Sequence, residues 1–404
     1  MTKMFRHAKR FGMVAVAVLL SGALLLGSVV PAKAEPGEER VVKIGFRTAF
    51  TGVIATSGIF FYEGAKNYLK YVSDRGGIDG VKLIPIWEEG AGLVPREIIG
   101  HKRLVGRGIV AEFSWIQDAV EVTAPRQQKD EVPLIFSGRF SERMMTKPHK
   151  WVFTATPSGL DEASIGLQWF KAHWTDQRPP RVGMLHFDYT GAWEMLEGIK
   201  LNAERLGFEY VGNEVTSAIP PPIDTSTEWM RLAAKNPDII YVLACGAALT
   251  TITKDAARLE IQKRGITLIH PYPCFDSNIR VVGEDAEGWY VHQYAPSILE
   301  EELPGMKALR EAAEKYSGWE PENIRADYIV AWIQAQIVVE AIRSALEKVG
   351  FENLTGRAVR DAMASIEKFD TGLMPPITMH DNKPYFSDSE QIYEVRQRWA
   401  RPTG

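Results

Sequence analysis

Val41-Val42-Lys43-Ile44-Gly45-Phe46 opens the stretch that decides the fold, and Asp74-Arg75-Gly76-Gly77-Ile78-Asp79-Gly80 divides it. The first six residues form a short apolar run suited to a strand. Across residues 60–73, Phe61, Ala65, Tyr68, Leu69 and Val72 recur at helical spacing on one side. Gly76-Gly77 then ends the helix, because glycine adopts the left-handed backbone just past a helix without strain. Residues 81–87 return to an extended pattern. Strand, helix, strand in that order predicts a parallel sheet with helical crossovers.

The alternation continues outward. Residues 96–105 read as helix, 108–113 as strand, 118–129 as helix and 132–136 as a fourth strand. The pattern restarts with an extended segment at 151–154. Helices follow at 162–174, 191–206, 225–235 and 249–263, with strands at 181–187, 208–215, 238–244 and 266–270. Two successive sets predict an α/β chain with two doubly wound lobes. Pro220-Pro221-Pro222 reads as a stiff surface connector, since the alternation persists on both sides of it. The tail departs from the tandem: a strand at 289–292, helices at 304–316, 327–348 and 355–366, and a closing pair of strands at 376–379 and 391–399. Helices without strands of their own cover a sheet already built, so the chain is expected to cross between lobes more than once. The expected division is 41–157 with 293–372 for one lobe, and 158–292 with 373–404 for the other.

Ahead of this region, Lys3, Arg6, Lys9 and Arg10 precede a charge-free run at 11–30, and Pro31-Ala32-Lys33-Ala34 follows. Basic start, apolar middle and small-residue end are the layout of a secretory signal peptide, with cleavage expected after Ala34 and a location outside the cytoplasmic membrane. The rival reading is an uncleaved anchor, because the 20-residue run is long enough to span a bilayer. Cleavage leaves 370 residues carrying 42 Lys and Arg against 51 Asp and Glu, a net charge of −9. That length suits two domains. An acidic chain without a basic cluster argues against nucleic acid and anionic membrane surfaces as partners. No later segment reads as a membrane span. The two cysteines, Cys245 and Cys274, follow neighbouring predicted strands and are expected to lie close together; sequence leaves open whether they bond.

Catalytic signatures do not occur. There is no Gly-x-Ser-x-Gly, no His-Glu-x-x-His and no glycine-rich phosphate loop, and the eight histidines are scattered. No enzyme activity, metal or other cofactor is expected. His186, at a strand end, reads as a satisfied structural histidine, and Glu88-Glu89 as a solvated turn or helix-entry charge. The strand ends carry more information, because open α/β sheets bind ligands beyond the carboxyl ends of their strands. In the first set these ends hold Phe50, Ser114, Trp115, Ser137, Gly138, Arg139 and Phe140. In the second they hold Tyr189, Thr190, Cys245 and Phe275. Hydroxyls and helix-start amides suit a carboxylate; Trp115, Phe140, Tyr189 and Phe275 could wall an apolar body.

Thr51-Gly52-Val53-Ile54-Ala55-Thr56-Ser57-Gly58, Glu63-Gly64-Ala65, the Gly76-Gly77-Ile78-Asp79-Gly80 element and Asp327-Tyr328 at the start of a long helix carry a family resemblance. So do Val132-Pro133-Leu134-Ile135, Asp188-Tyr189-Thr190-Gly191 and Glu287-Gly288. Over residues 41–400 the chain resembles the periplasmic solute-binding proteins of ABC importers, in the branch that includes leucine/isoleucine/valine binding. The resemblance implies two Rossmann-like lobes joined by three hinge crossovers, with a ligand closed between them. It implies an ABC permease as partner, a monomeric protein and a ligand set that includes Ser57.

Three departures bear on the ligand. Ser114-Trp115 stands where amino-acid binders of this family present two small hydroxyl residues. Gly138-Arg139-Phe140 replaces their Ala-Thr. No acid stands at 272–274 to meet an ammonium, Asp276 being the nearest. A missing ammonium partner, an added Arg and several rings favour an apolar or aromatic carboxylate over a branched-chain or other hydrophobic amino acid. Gly372-Leu373-Met374-Pro375-Pro376 resembles a stretch of members linked to such ligands. The competing class is a periplasmic ligand sensor feeding a membrane signalling partner, which an uncleaved anchor at 11–30 would favour.

Overall fold

The computed structural model describes residues 39–52, 54–137, 150–271, 274–379 and 390–403. The signal segment and Gly138, Arg139 and Phe140 therefore lie outside the described residues.

The first sheet is built from β1 (Val41–Thr48), β2 (Lys82–Glu89), β3 (Ile109–Ser114), β4 (Leu134–Phe136) and β5 (Val152–Thr154), in spatial order β2-β1-β3-β4-β5. Every pairing in it is parallel. Parallel strands need crossovers, and α1 (Ala55–Asp74), α2 (Val94–Gly106) and α3 (Gln117–Asp130) supply them. Leu104 of α2 packs with Ile109 and Val132, and Val120 and Ala124 of α3 pack on Leu134, Phe136 and Val152. On the other face α1 shares a core with helices from the tail.

The segment 151–154, read as the restart of the pattern, closes the first sheet instead: β5 pairs with β4. The second sheet follows α4 (Gly159–Ala172). It contains β6 (Arg181–Phe187), β7 (Glu209–Thr216), β8 (Ile239–Leu243), β9 (Thr267–His270), β10 (Tyr290–Gln293), β11 (Gln391–Arg396) and β12 (Trp399–Pro402), in order β12-β11-β10-β9-β8-β6-β7. Its faces are covered by α4 and α5 (Thr190–Leu206) on one side, and by α6 (Ser226–Ala233), α7 (Gly246–Arg258) and α8 (Cys274–Val282) on the other. The closing strands β11 and β12 are antiparallel neighbours within the last fourteen residues. Residues 376–379, expected as one of that pair, contribute only an isolated bridge from Ile377 to Phe369.

The tail helices α9 (Met306–Ser317), α10 (Ala326–Val349) and α11 (Gly356–Met363) return to the first sheet. Ile329, Ile333 and Ile337, four residues apart on α10, are fully buried with Ile44, Phe46, Phe61 and Ala65. Each such side chain contributes roughly 1.5–3 kcal/mol by leaving water. Gly64 explains the Glu63-Gly64-Ala65 motif: a Cβ there would sit 2.2 Å from the carbonyl oxygen of Tyr328, so only glycine lets α10 approach α1. By length and hydropathy α10 could cross a membrane, contrary to the sequence expectation; in the fold it is a core helix. The chain thus passes from the first sheet to the second after β5, returns after β10, and rejoins the second at β11.

Candidate site: a cleft between the two sets of strand ends

The carboxyl ends of both sheets' strands face a cavity of about 620 Å³, within the usual range for small-molecule sites. From the first lobe come Ile54 on the β1–α1 turn, Ala91, Gly92 and Val94 between β2 and α2, and the run Trp115, Ile116, Gln117 and Asp118 after β3. From the second come Phe187, Asp188 and Tyr189 after β6, the segment after β7 from Val215 to Ile219 with Pro221, and Leu243, Cys245, Ala247 and Ala248 around the end of β8. The wall is mainly apolar. Its charged members among the described residues are Asp118 and Asp188, one on each lobe.

Three expected ligand residues meet on this wall: Trp115, Tyr189 and Cys245. The other described candidates stand off it. Phe50 packs edge-on against Tyr62 and Trp87, with ring centroids 5.2 and 5.0 Å away. Ser114 is fully buried, its hydroxyl without a partner. Ser137 donates its hydroxyl to Gln334 of α10. Thr190 begins α5 just behind Tyr189. Phe275 was expected to wall the ligand, but it is fully buried in the second core, stacked with His270 and Trp289 at 5.0 and 5.1 Å. The reason is local: α8 starts at Cys274, and its amphipathic turn puts position 275 on the core face.

Cys245 and Cys274 are bonded to each other, with Cα atoms 6.1 Å apart. The expected proximity holds, and the bond ties the starts of α7 and α8 together beside the cavity. His186 is fully buried; its Nδ1–H donates to the Phe187 carbonyl at 3.0 Å and its Nε2 accepts from Asn213 at 3.2 Å. Burial lowers its pKa, in keeping with a neutral structural imidazole. Glu89 does more than the solvated charge expected of it. Its carboxylate accepts from the backbone N–H of Phe50 and of Ala91, both at 2.8 Å, and so joins the β1–α1 and β2–α2 turns.

Direct contacts cross the cleft on two flanks. On one, the Gln117 backbone N–H, at the start of α3, donates to the Tyr189 hydroxyl at 3.1 Å, and its side-chain amide donates to Glu194 of α5 at 2.9 Å. On the other, Asp276 of α8 accepts from the first N–H of α10, that of Ala326, at 3.0 Å. Asp327 accepts from Ser277 at 3.4 Å and also hydrogen-bonds Ser57. Burial pushes the Asp327 carboxyl up to about 7, and the neighbouring Asp276 adds to the rise. Ser57 therefore joins the lobe contact rather than the cavity wall. Gln117 and the segment after β7 were not legible as site residues. Both follow strand ends, but Gln117 lies beyond the Ser114-Trp115 pair, and the proline run drew the second toward a surface reading.

By fold and cleft this is a two-lobed solute-binding protein of the type I periplasmic class. The chain belongs to the periplasmic binding protein family, which it matches over residues 41–397, and membership implies a location outside the cytoplasm. No curated protein matches the chain in sequence. Among solved structures it is similar to a branched-chain amino acid ABC transporter protein from Thermus thermophilus with bound valine, at 19% identity and a TM-score of 0.81 over 91% of this chain and 96% of that one. It is also similar to a fatty acid ABC transporter substrate-binding protein from Thermomonospora curvata, at 19% identity and TM-score 0.76 over 90% of each chain. A solute-binding protein from R. palustris in complex with benzoate shares the fold at 16% identity and TM-score 0.75, over 90% of this chain and 96% of that one.

Proposed function

We propose that the mature protein, released by cleavage after Ala34, captures a small apolar or aromatic carboxylate between its lobes and delivers it as a monomer to an ABC permease. The two lobes are residues 41–157 with 293–372, and 158–292 with 373–404. Closure does the work: contacts made by both lobes at once favour the closed state, and no bond is made or broken. The observation that carries this reading is the apolar cavity at the strand ends of both sheets, bridged by Gln117.

The carboxylate preference has separate support. Trp115, Phe187 and Tyr189 supply rings to the wall. Asp276, the one acid near the position of the family's ammonium partner, is taken up by the start of α10. The benzoate complex and the fatty acid binder share this fold. A carboxylate then needs a cation, and Arg139, at the end of β4 in sequence, fits the part. Native mass spectrometry of freshly purified protein identifies what co-purifies. Calorimetric titration with benzoate, straight-chain acids and leucine tests the class. Arg139→Ala is expected to lose on the order of 2 kcal/mol with acids. Tight leucine binding with no acid binding overturns the carboxylate assignment.

A further inference from the structure

The cavity has a direction, and the sheet orders give it. In the first sheet the lining residues follow β3, β1 and β2, three adjacent strands ending at the sheet edge. In the second they follow β8, β6 and β7, again three adjacent strands ending at the edge. Neighbouring strands lie about 4.8 Å apart, so two spacings make each wall about 10 Å long. Each wall runs from a central strand out to an edge strand, β2 in the first sheet and β7 in the second. The volume agrees: 620 Å³ is on the order of twenty water volumes. A free branched-chain amino acid has roughly nine non-hydrogen atoms and would leave about half of the space to water.

The outer arm of the cavity is a built structure. Gly92 sits at φ +73°, and a Cβ there would fall 2.3 Å from the Ile54 side chain, so Ile54 lies directly on the glycine. Glu89 fixes Phe50 and Ala91 on either side of that contact. The second lobe contributes Val215, Ala218 and Ile219, at and after the end of its own edge strand β7, to the same cavity. No Lys or Arg lines the cavity among the described residues, and its formal charges, Asp118 and Asp188, are both negative.

Resting on the carboxylate reading above, we infer that the arm between the β2–α2 turn and the segment after β7 takes the uncharged tail of an elongated, single-headed solute. The solute class is a monocarboxylic acid with an alkyl or arylalkyl body about 10 Å long. A second carboxylate at the far end would be buried against apolar walls that carry no cation among the described residues, so dicarboxylates are rejected. Ala218 and Val94 face the tail from opposite lobes and set its permitted length.

The test is calorimetric titration of the exported protein with two homologous series, straight-chain acids from four to twelve carbons and the matching neutral primary amides. Affinity for the acids should rise roughly fourfold per added methylene until the arm is full, the factor for burying one CH₂, and then stop rising. Octanedioate should bind at least tenfold more weakly than octanoate. Val94→Trp and Ala218→Trp, one on each lobe, should each weaken octanoate at least tenfold more than butanoate; a cooperative thermal unfolding transition shows that the variant is folded. Affinity that stays flat with chain length, or variants that weaken short and long acids alike, overturns the arm. If the amides show the length dependence and the acids do not bind, the arm stands and the carboxylate head falls. If neither series shows it, the arm is refuted.

Discussion

Gly191→Ala separates stability from binding, because the two effects of one methyl group have opposite signs. Gly191 lies in the first turn of α5, opposite Gln117 across the cleft. A Cβ at 191 would stand 2.3 Å from the Gln117 side-chain oxygen and 3.2 Å from the Tyr189 ring. The amide is the movable end of its side chain, so it swings away and loses its 2.9 Å bond to Glu194. A hydrogen bond to a charged acceptor is worth roughly 1.5–3 kcal/mol. Glu194 is only half-buried, which argues for the lower figure, about 1.5 kcal/mol, or roughly tenfold in the closed-to-open ratio and in affinity. Within the second lobe the same change replaces a helical glycine by alanine and adds about 0.5–1 kcal/mol of stability. Gln117→Ala removes the same bond without the helix gain. The measurements are thermal unfolding of ligand-free protein, calorimetric affinity for the best acid found, and small-angle scattering of the free form. Expected are weaker binding in both variants, a larger radius of gyration, and a raised transition temperature in Gly191→Ala alone. Affinity within twofold of wild type in both would refute any part for the Gln117 contact in the bound state.

Two further predictions follow from the site. The Cys245–Cys274 bond closes a loop with a sequence separation of 29, which corresponds to roughly 3–4 kcal/mol of chain-entropy stabilisation; unreduced, denatured protein should show no free thiol, and Cys245→Ser with Cys274→Ser should lower the unfolding temperature. Asp327 has its folded pKa raised from 3.8 to about 7, so between those values the folded state holds more protons than the unfolded one and stability falls as pH rises, levelling off above about 7. Asp327→Asn should therefore stabilise the protein on the order of a few kcal/mol at pH 8 and hardly at pH 4; equal gains in thermal unfolding at both pH values would contradict the buried carboxyl.

How much of this was legible depends on the range of the signal. The βαβ unit at 41–87 was readable because its periodicity, its glycine stop and its next strand are all local. The lobe architecture followed, with helix ends moved by a few residues: α1 begins at Ala55 and not at residue 60, since Ser57, Gly58 and Ile59 lack an apolar period yet complete the first turns. α8 was missed because Pro271-Tyr272-Pro273 precedes it and reads as a loop. β5 was read as the restart of the strand–helix pattern, although the expected lobe division at residue 157 kept it with the first sheet it closes, because strand pairing is non-local. Strand-end reasoning reached three residues of the cavity wall, Trp115, Tyr189 and Cys245. It could not order them with the segment after β7, whose place depends on β7 being an edge strand. Phe275 failed because a strand-end aromatic and a first-turn core residue look alike in sequence.

A buried charge network unseen in the sequence explains why the first-lobe wall can act as one piece. Arg47 Nε donates to Glu112 at 2.7 Å, and the other Glu112 oxygen accepts from His101 at 2.8 Å and from Gln127 at 2.6 Å. His101 reaches Asp130 at 3.0 Å with its second nitrogen. Burial works against the charges, but Arg47 and His101 hold Glu112 down at about 2, and Glu112 and Asp130 hold His101 above its ordinary pKa. Such a set stabilises little relative to an apolar core, yet losing one member costs roughly 3–5 kcal/mol because the rest stay buried and unpaired. Its members sit on β1, β3, α2 and α3. On the cavity wall, Val94 opens α2, Gln117 opens α3 and Trp115 directly follows β3. A displacement of any one of these elements alone would break a buried ionic contact, whereas moving all four together breaks none. Lobe motion as a body is therefore the inexpensive path, and the spacing between Gln117 and the outer arm is preserved as the cleft opens and closes.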